Sequence, residues 1–117
     1  MDLETQAREI LAANRYMVLG TADAEGRPWV SPVWFASEDG AALHWISKPG
    51  ARHSRNVATR PEIAIVVFDS SAAPDDARAL YADAVAERLD GGERDAAVAL
   101  YSRASQAQGL GAFTSAR

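Results

Sequence analysis

Cysteine is absent from this sequence of 117 residues. That excludes disulfides, thiolate nucleophiles, iron–sulfur clusters and thiolate zinc sites. Histidine is scarce: His44 and His53 are the only two, too few for a multi-histidine metal centre, so no metal is expected. Lys48 is the sole lysine beside eleven arginines. No apolar run approaches the roughly 18 residues of a transmembrane helix, so no membrane partner is expected. The opening MDLETQAREI lacks the basic and apolar regions of a secretory leader, which makes a cytoplasmic location the expectation. Positive charge is in deficit, with 12 Lys+Arg against 16 Asp+Glu and a formal net charge of −4. That balance argues against nucleic-acid binding, which needs broad phosphate neutralisation. The last absence is local. No acid stands between Asp39 and Glu62, yet Lys48, Arg52, Arg55 and Arg60 crowd into that interval with His53.

What is present is an ordinary globular mixture, 48% apolar and 24% charged. The length suits one domain over 1–117 with a small core. In residues 2–14, Leu3, Ala7, Ile10 and Leu11 fall on one helical face, with Asp2 as N-cap and Asn14 as stop. YMVLGT (16–21) reads as a strand and is followed by a turn at Gly26. PWVSPVWFAS (28–37) is a strand carrying Pro32, which suits an edge or a bulge. EDG (38–40) makes a second turn, and ALHWIS (42–47) the next strand. Pro49-Gly50 breaks the chain before a short helix at 51–59, which Arg60-Pro61 ends. EIAIVVFD (62–69) is nearly all apolar and reads as a strand buried on both faces. Residues 70–76 form a loop. Residues 77–90 fit a helix by alanine content or a strand by alternation, and a helix follows at 93–106, striped by Ala97, Leu100, Tyr101 and Ala104. In the tail only Leu110 and Phe113 offer an anchor. The early hairpins favour an antiparallel sheet or barrel over βαβ units.

The acid-free stretch has a definite chemistry. A helix that starts after Pro-Gly presents unpaired backbone N–H groups and the positive end of its dipole. Arg52 and His53 fall in its first turn, and Ser47 ends the preceding strand. Arg52, Arg55 and Asn56 share a face by i+3 and i+4 spacing. A hydroxyl, an imidazole, a guanidinium and a helix N-terminus together suit one phosphate group. A merely solvated basic helix is the competing interpretation. The three tryptophans, Trp29, Trp34 and Trp45, fall in or beside this region. Trp29 reads as core, whereas Trp34 suits either the core or a planar ligand.

Taken in order, residues 26–70, GRPWVSPVWFASEDGAALHWISKPGARHSRNVATRPEIAIVVFDS, resemble the pyridoxamine 5′-phosphate oxidase-like FMN-binding split barrels. The likeness lies in the G-x-P strand, the strand ending in Ser, the A-R-H-S-R-N-V-x-x-x-P segment and the apolar strand ending in V-F-D. The resemblance implies an α+β, mainly β fold: a small antiparallel split β-barrel with flanking helices. It also implies a homodimer with FMN at the subunit interface. By likeness, the backbone of Val30, Ser31, Pro32, Val33 and Trp34 would lie along the flavin ring. Ser47, Arg52 and His53 would hold the phosphate, with Arg55 and Asn56 nearby; His53 stands where many members carry lysine. The resemblance makes residues 78–90 a strand. Such folds usually continue past an F-T segment into a further strand, so the closing strand is expected to be missing after Phe113-Thr114.

The implied activity is a flavin-dependent oxidoreduction of a small molecule, with hydride chemistry residing in the cofactor. No catalytic acid or base stands out. The alternatives are a deazaflavin-dependent reductase on the same fold, a non-catalytic flavin- or haem-binding module, and an interaction domain whose basic helix meets an acidic partner. Other signals are weak. GLG at 109–111 lacks the rest of a dinucleotide fingerprint. His44 reads as structural, Asp69 as a turn-initiating residue, and Asp75-Asp76 as a loop pair without a cation site.

Overall fold

The first helix begins where the sequence supplies a cap. Asp2 accepts a hydrogen bond from the Thr5 amide at 2.7 Å, and α1 runs from Leu3 to Ala13. Asn14 ends it, its Nδ2 donating back to the Ile10 carbonyl. The structure, a computed structural model, describes residues 2–38 and 42–107. Asp39 and Gly40 of the second turn lie outside the described residues, as do Leu110, Phe113, the GLG segment and the expected end of the barrel.

Strands β1 (Tyr16–Ala22) and β2 (Pro28–Trp34) form an antiparallel hairpin, in register from Tyr16↔Trp34 to Ala22↔Pro28. Its turn is held by Asp23, whose carboxylate accepts from the amides of Glu25 and Arg27 and from Arg27 Nε. Gly26 sits there at φ 86°, a left-handed conformation that glycine adopts without strain. β1 pairs on its other side with β5 (Glu62–Phe68), and β5 with β6 (Ala79–Val85), both antiparallel. The sheet order is β2-β1-β5-β6, which puts Pro32 on an edge strand, where its missing N–H costs least. A separate ribbon joins β3 (Ala36–Glu38) to β4 (Ala42–His44). Helix α2 spans Arg52–Thr59, a 3-10 turn spans Pro74–Asp76, and α3 spans Gly91–Ala107. The described strands therefore make an open antiparallel sheet with flanking helices, the split architecture the sequence implies.

The core lies on one face of this sheet. Met17 and Leu19 of β1, Val33 of β2, and Ile63, Ile65 and Val67 of β5 pack against Ile10 and Leu11 of α1 and against Phe35. Leu43, Trp45, Val57 and Leu80 lean on the same cluster. Phe35 interrupts the long strand expected at 28–37. Its amide donates to the Arg15 carbonyl, one step beyond the Tyr16↔Trp34 pair, and the run then leaves β1 and pairs with β4 as β3. The strand expected at 42–47 stops at His44.

Two expectations about burial are corrected. β5 is not buried on both faces: Ile63, Ile65 and Val67 are buried, while Ala64 and Phe68 are exposed. Helices α1 and α2 pack on the core face, and among the described residues the opposite face is open except at Trp34, which α3 meets. That face carries Val30, Phe68, Tyr81 and Val85, which are 67, 46, 79 and 72% exposed. Leu3 is likewise exposed, because α1 meets the core only at Ile10 and Leu11. Residues 79–85 are strand, since pairing with β5 overrides their alanine content. α3 starts at Gly91 and buries Val98, Tyr101 and Ser105, a stripe beside the expected one.

Candidate functional site

The acid-free stretch folds into a compact corner. Ala51 is the N-cap of α2, and its side chain offers no hydrogen bond to the first turn. No acid lies in that turn. The amides of the first turn therefore point outward at the positive end of the helix, an arrangement that accepts an anion. Ser47 Oγ lies 2.7 Å from His53 Nε2. This bond joins the segment after β4 to the first turn of α2, so two of the expected phosphate residues are in contact. Partial burial holds the His53 imidazole below its ordinary pKa, which keeps the ring neutral at neutral pH. A neutral ring still has one N–H to give and one nitrogen to accept.

Arg52 leaves this corner toward β2. Its guanidinium lies over the Trp29 ring, 4.0 Å from the centroid. Trp29 is thus not the core residue the sequence suggests. It stands at the start of the edge strand, 40% exposed, and its indole face meets a cation instead of aliphatic side chains. Asn56 also departs from expectation. It does not share the outward face of Arg52; it is 5% exposed and turned inward, with Nδ2 donating to Thr21 Oγ1 at 3.0 Å. Thr21 Oγ1 in turn donates to the Trp29 carbonyl at 3.4 Å. Arg55 is exposed.

The five β2 residues divide by alternation. Val30, Pro32 and Trp34 lie on the open face of the sheet, Ser31 and Val33 on the core face. What all five share is a place on the outer edge, where backbone groups pair with β1 on one side only. Trp34 is held by α3: Tyr101 meets it edge-on with centroids 4.8 Å apart, and the Tyr101 hydroxyl donates to the Trp34 carbonyl at 3.4 Å. Burial raises the Tyr101 pKa, so that hydroxyl keeps its proton.

The cations divide too. Arg27 is bound to Asp23 and Glu25, and Arg60 donates to the Ala24 carbonyl. Among the described residues, Lys48, Arg52 and Arg55 have no carboxylate partner. Net positive potential therefore collects at the α2 N-terminus of an acidic chain. The described residues contain no group of carboxylates and histidines placed to hold a metal ion. Asp69 starts a turn, accepting from the amide and hydroxyl of Ser71.

Sequence reasoning missed Thr21 and the part played by Trp29. Thr21 carries no signal beyond being a polar residue inside an apolar strand. Trp29 had one: it opens a strand on the edge side of a hairpin, where the core is thinnest.

A family model described as pyridoxamine 5′-phosphate oxidase matches residues 3–116. No curated protein matches the chain. Among solved structures, a haem storage protein of Vibrio cholerae is 28% identical, with a TM-score of 0.76 over 89% of this chain and 76% of its own. A haem-binding protein of Mycobacterium smegmatis is 32% identical, with a TM-score of 0.80 over 93% of this chain. The chain spans 46% of that protein's length. An F420 reductase is 23% identical, with a TM-score of 0.68 over 92% of this chain and 79% of its own, a likeness of fold.

Proposed function

Because the chain belongs to the pyridoxamine 5′-phosphate oxidase family, we propose that it binds FMN and uses it in the oxidation or reduction of a small molecule. The observation that carries this reading is the corner at α2. An uncapped helix N-terminus with no acid in its first turn carries the Ser47–His53 pair, and Arg52 of the same turn reaches from it to the start of β2. These groups fit a phosphate monoester, which needs several donors and a cation on one side. Ser47, Arg52, His53 and the α2 amides would hold the phosphate, with Arg55 and Lys48 contributing field. Asn56 would act from behind, through Thr21. The edge of β2 from Val30 to Trp34 would run along the ring. FMN would supply hydride chemistry, while the protein supplies position and electrostatics. The whole chain, 1–117, is taken as one cofactor-binding unit.

The open sheet face supports a homodimer in this reading. Val30, Phe68, Tyr81 and Val85 expose apolar side chains on this face beside Glu62 and Asp83, and exposed apolar groups on a sheet face mark association sites. A second copy of the chain would cover it, and the cofactor would lie at the seam beside β2.

The haem-binding reading has its own support, in the likeness to two haem proteins at 28 and 32% identity. His44 and His53 are the two histidines that could meet the iron. A deazaflavin on the same site is a third chemistry, supported by likeness of fold alone. One measurement separates them. The purified protein is mixed with FMN, haem or a deazaflavin, freed of excess by gel filtration, and its visible spectrum recorded. The expected result is a shifted flavin spectrum at about one FMN per subunit. A Soret band retained in place of flavin would overturn FMN and support the haem reading.

A further inference from the structure

Trp29 lies on no surface the flavin reading uses, yet it is the residue that connects the two halves of the site. Four residues form a closed circuit across three elements. Asn56 of α2 donates to Thr21 of β1 at 3.0 Å, and Thr21 donates to the carbonyl of Trp29 on β2 at 3.4 Å. Thr21 and Trp29 are also direct cross-strand partners. The Trp29 ring then carries the Arg52 guanidinium, 4.0 Å away, back on α2 one turn before Asn56. The Asn56 end is buried. The backbone of Trp29 is thus held twice from the β1 side, by strand pairing and by the Thr21 hydroxyl that buried Asn56 backs, and its ring offers Arg52 a shelf. Among the described residues Arg52 has no carboxylate partner, and an exposed arginine left alone samples many rotamers. On the shelf its guanidinium is held in one place between the first turn of α2 and the start of β2, its edge N–H groups left for an oxyanion because the indole engages only its flat face.

We propose that Trp29 is a positioning residue for Arg52, and that its ring sets how tightly this corner takes a phosphate monoester. The inference rests on the phosphate reading of the corner and deepens it. It assigns to Trp29 an effect on ligands that bear phosphate and none on the flavin ring itself.

The test is a double-mutant cycle with two ligands. FMN and riboflavin, which lacks the phosphate, are titrated against the wild type, Trp29→Leu, Trp29→Phe, Arg52→Ala and the double variant Trp29→Leu/Arg52→Ala. Urea unfolding confirms that each is folded. Trp29→Leu is expected to weaken FMN about 3- to 10-fold, the scale of one cation–π contact. Trp29→Phe, which keeps an aromatic face, is expected to stay within about 2-fold of the wild type. Riboflavin affinity should not change with Trp29→Leu, and Trp29→Leu should add nothing once Arg52 is alanine. Wild-type FMN affinity in Trp29→Leu overturns the inference. So does a parallel loss of riboflavin, which would make Trp29 a ring contact, and so does an undiminished loss in the Arg52→Ala background. Inorganic phosphate, followed by phosphorus NMR line broadening, separates this from the flavin reading. A wild type that binds phosphate but neither flavin removes the flavin reading, and the same variants then decide the inference on phosphate alone. A wild type that binds none of the three overturns both.

Discussion

At the scale of single residues, the basic interval divides between ligand-facing and structural work. Asn56 shows the division. Its place in an apparent polar face suggested a ligand contact, but one turn of a short helix separates outward from inward, and Asn56 points in to Thr21. Asn56→Leu is expected to cost about 1–3 kcal/mol, because Thr21 loses a buried donor. Urea unfolding checks this; unchanged stability would mean that the pair contributes nothing. His53 makes a different prediction. Burial lowers its folded pKa, so the unfolded chain takes up a proton that the folded chain resists. The contribution is fully present above about pH 6.5, the ordinary value, and is lost as pH falls through the depressed folded value. Denaturation curves between pH 7.5 and 5 should show stability falling with pH, and His53→Gln should remove that component. A slope equal in both proteins would assign the pH dependence elsewhere. Residue types were legible in the sequence because charge and hydroxyl content are written there. Direction was not, since it depends on which neighbour lies behind the helix.

Among elements, the sequence predicted well where hydrogen-bond chemistry is local. The Asp2 cap, the Asn14 stop, the Gly26 turn and the break before α2 each depend on a few adjacent residues. It predicted poorly where partners are distant. The break at Phe35 cannot be seen until residues 36–38 pair with β4 instead of β1, and residues 79–85 are strand because β5 lies beside them. Pro32 belongs to both groups: its edge position follows from its chemistry, and the sheet order bears it out. Pro32→Val returns an N–H to the open edge, where little depends on its absence. Stability is expected to stay within about 1 kcal/mol, the scale of a single hydrogen bond, and FMN affinity is expected not to rise. Tighter FMN binding in that variant would show that Pro32 is not placed for the cofactor.

For the whole molecule, the informative mismatch is β5. An almost continuous apolar run reads as a strand buried twice, and within one chain it is buried once. Either the second face is a surface tolerated in water or it belongs to a partner. The exposure of Tyr81 and Val85 next to it favours the partner. Tyr81→Asp removes an exposed ring from that face and adds a carboxylate beside Asp83. Sedimentation velocity is expected to find the wild type dimeric and Tyr81→Asp monomeric, with FMN affinity falling together with association. A monomeric wild type would remove the dimer and the cofactor seam at once. No single-chain reading of the sequence could separate these cases, because hydrophobic periodicity records burial without recording whose atoms provide it.

The three tryptophans occupy three unlike surroundings: Trp29 half in solvent beneath a guanidinium, Trp34 edge-on to Tyr101, and Trp45 leaning on the aliphatic core. Optically they are separate reporters. The asymmetric Trp34–Tyr101 pair should dominate the near-ultraviolet circular dichroism, a signal that requires fixed packing. Its disappearance while far-ultraviolet ellipticity persists would register α3 leaving the sheet before the strands part. Trp45 emission should shift only when the core itself opens. Trp29 should respond to ions at the α2 corner while the other two stay silent, so one unlabelled sample can tell undocking, unfolding and ligand arrival apart.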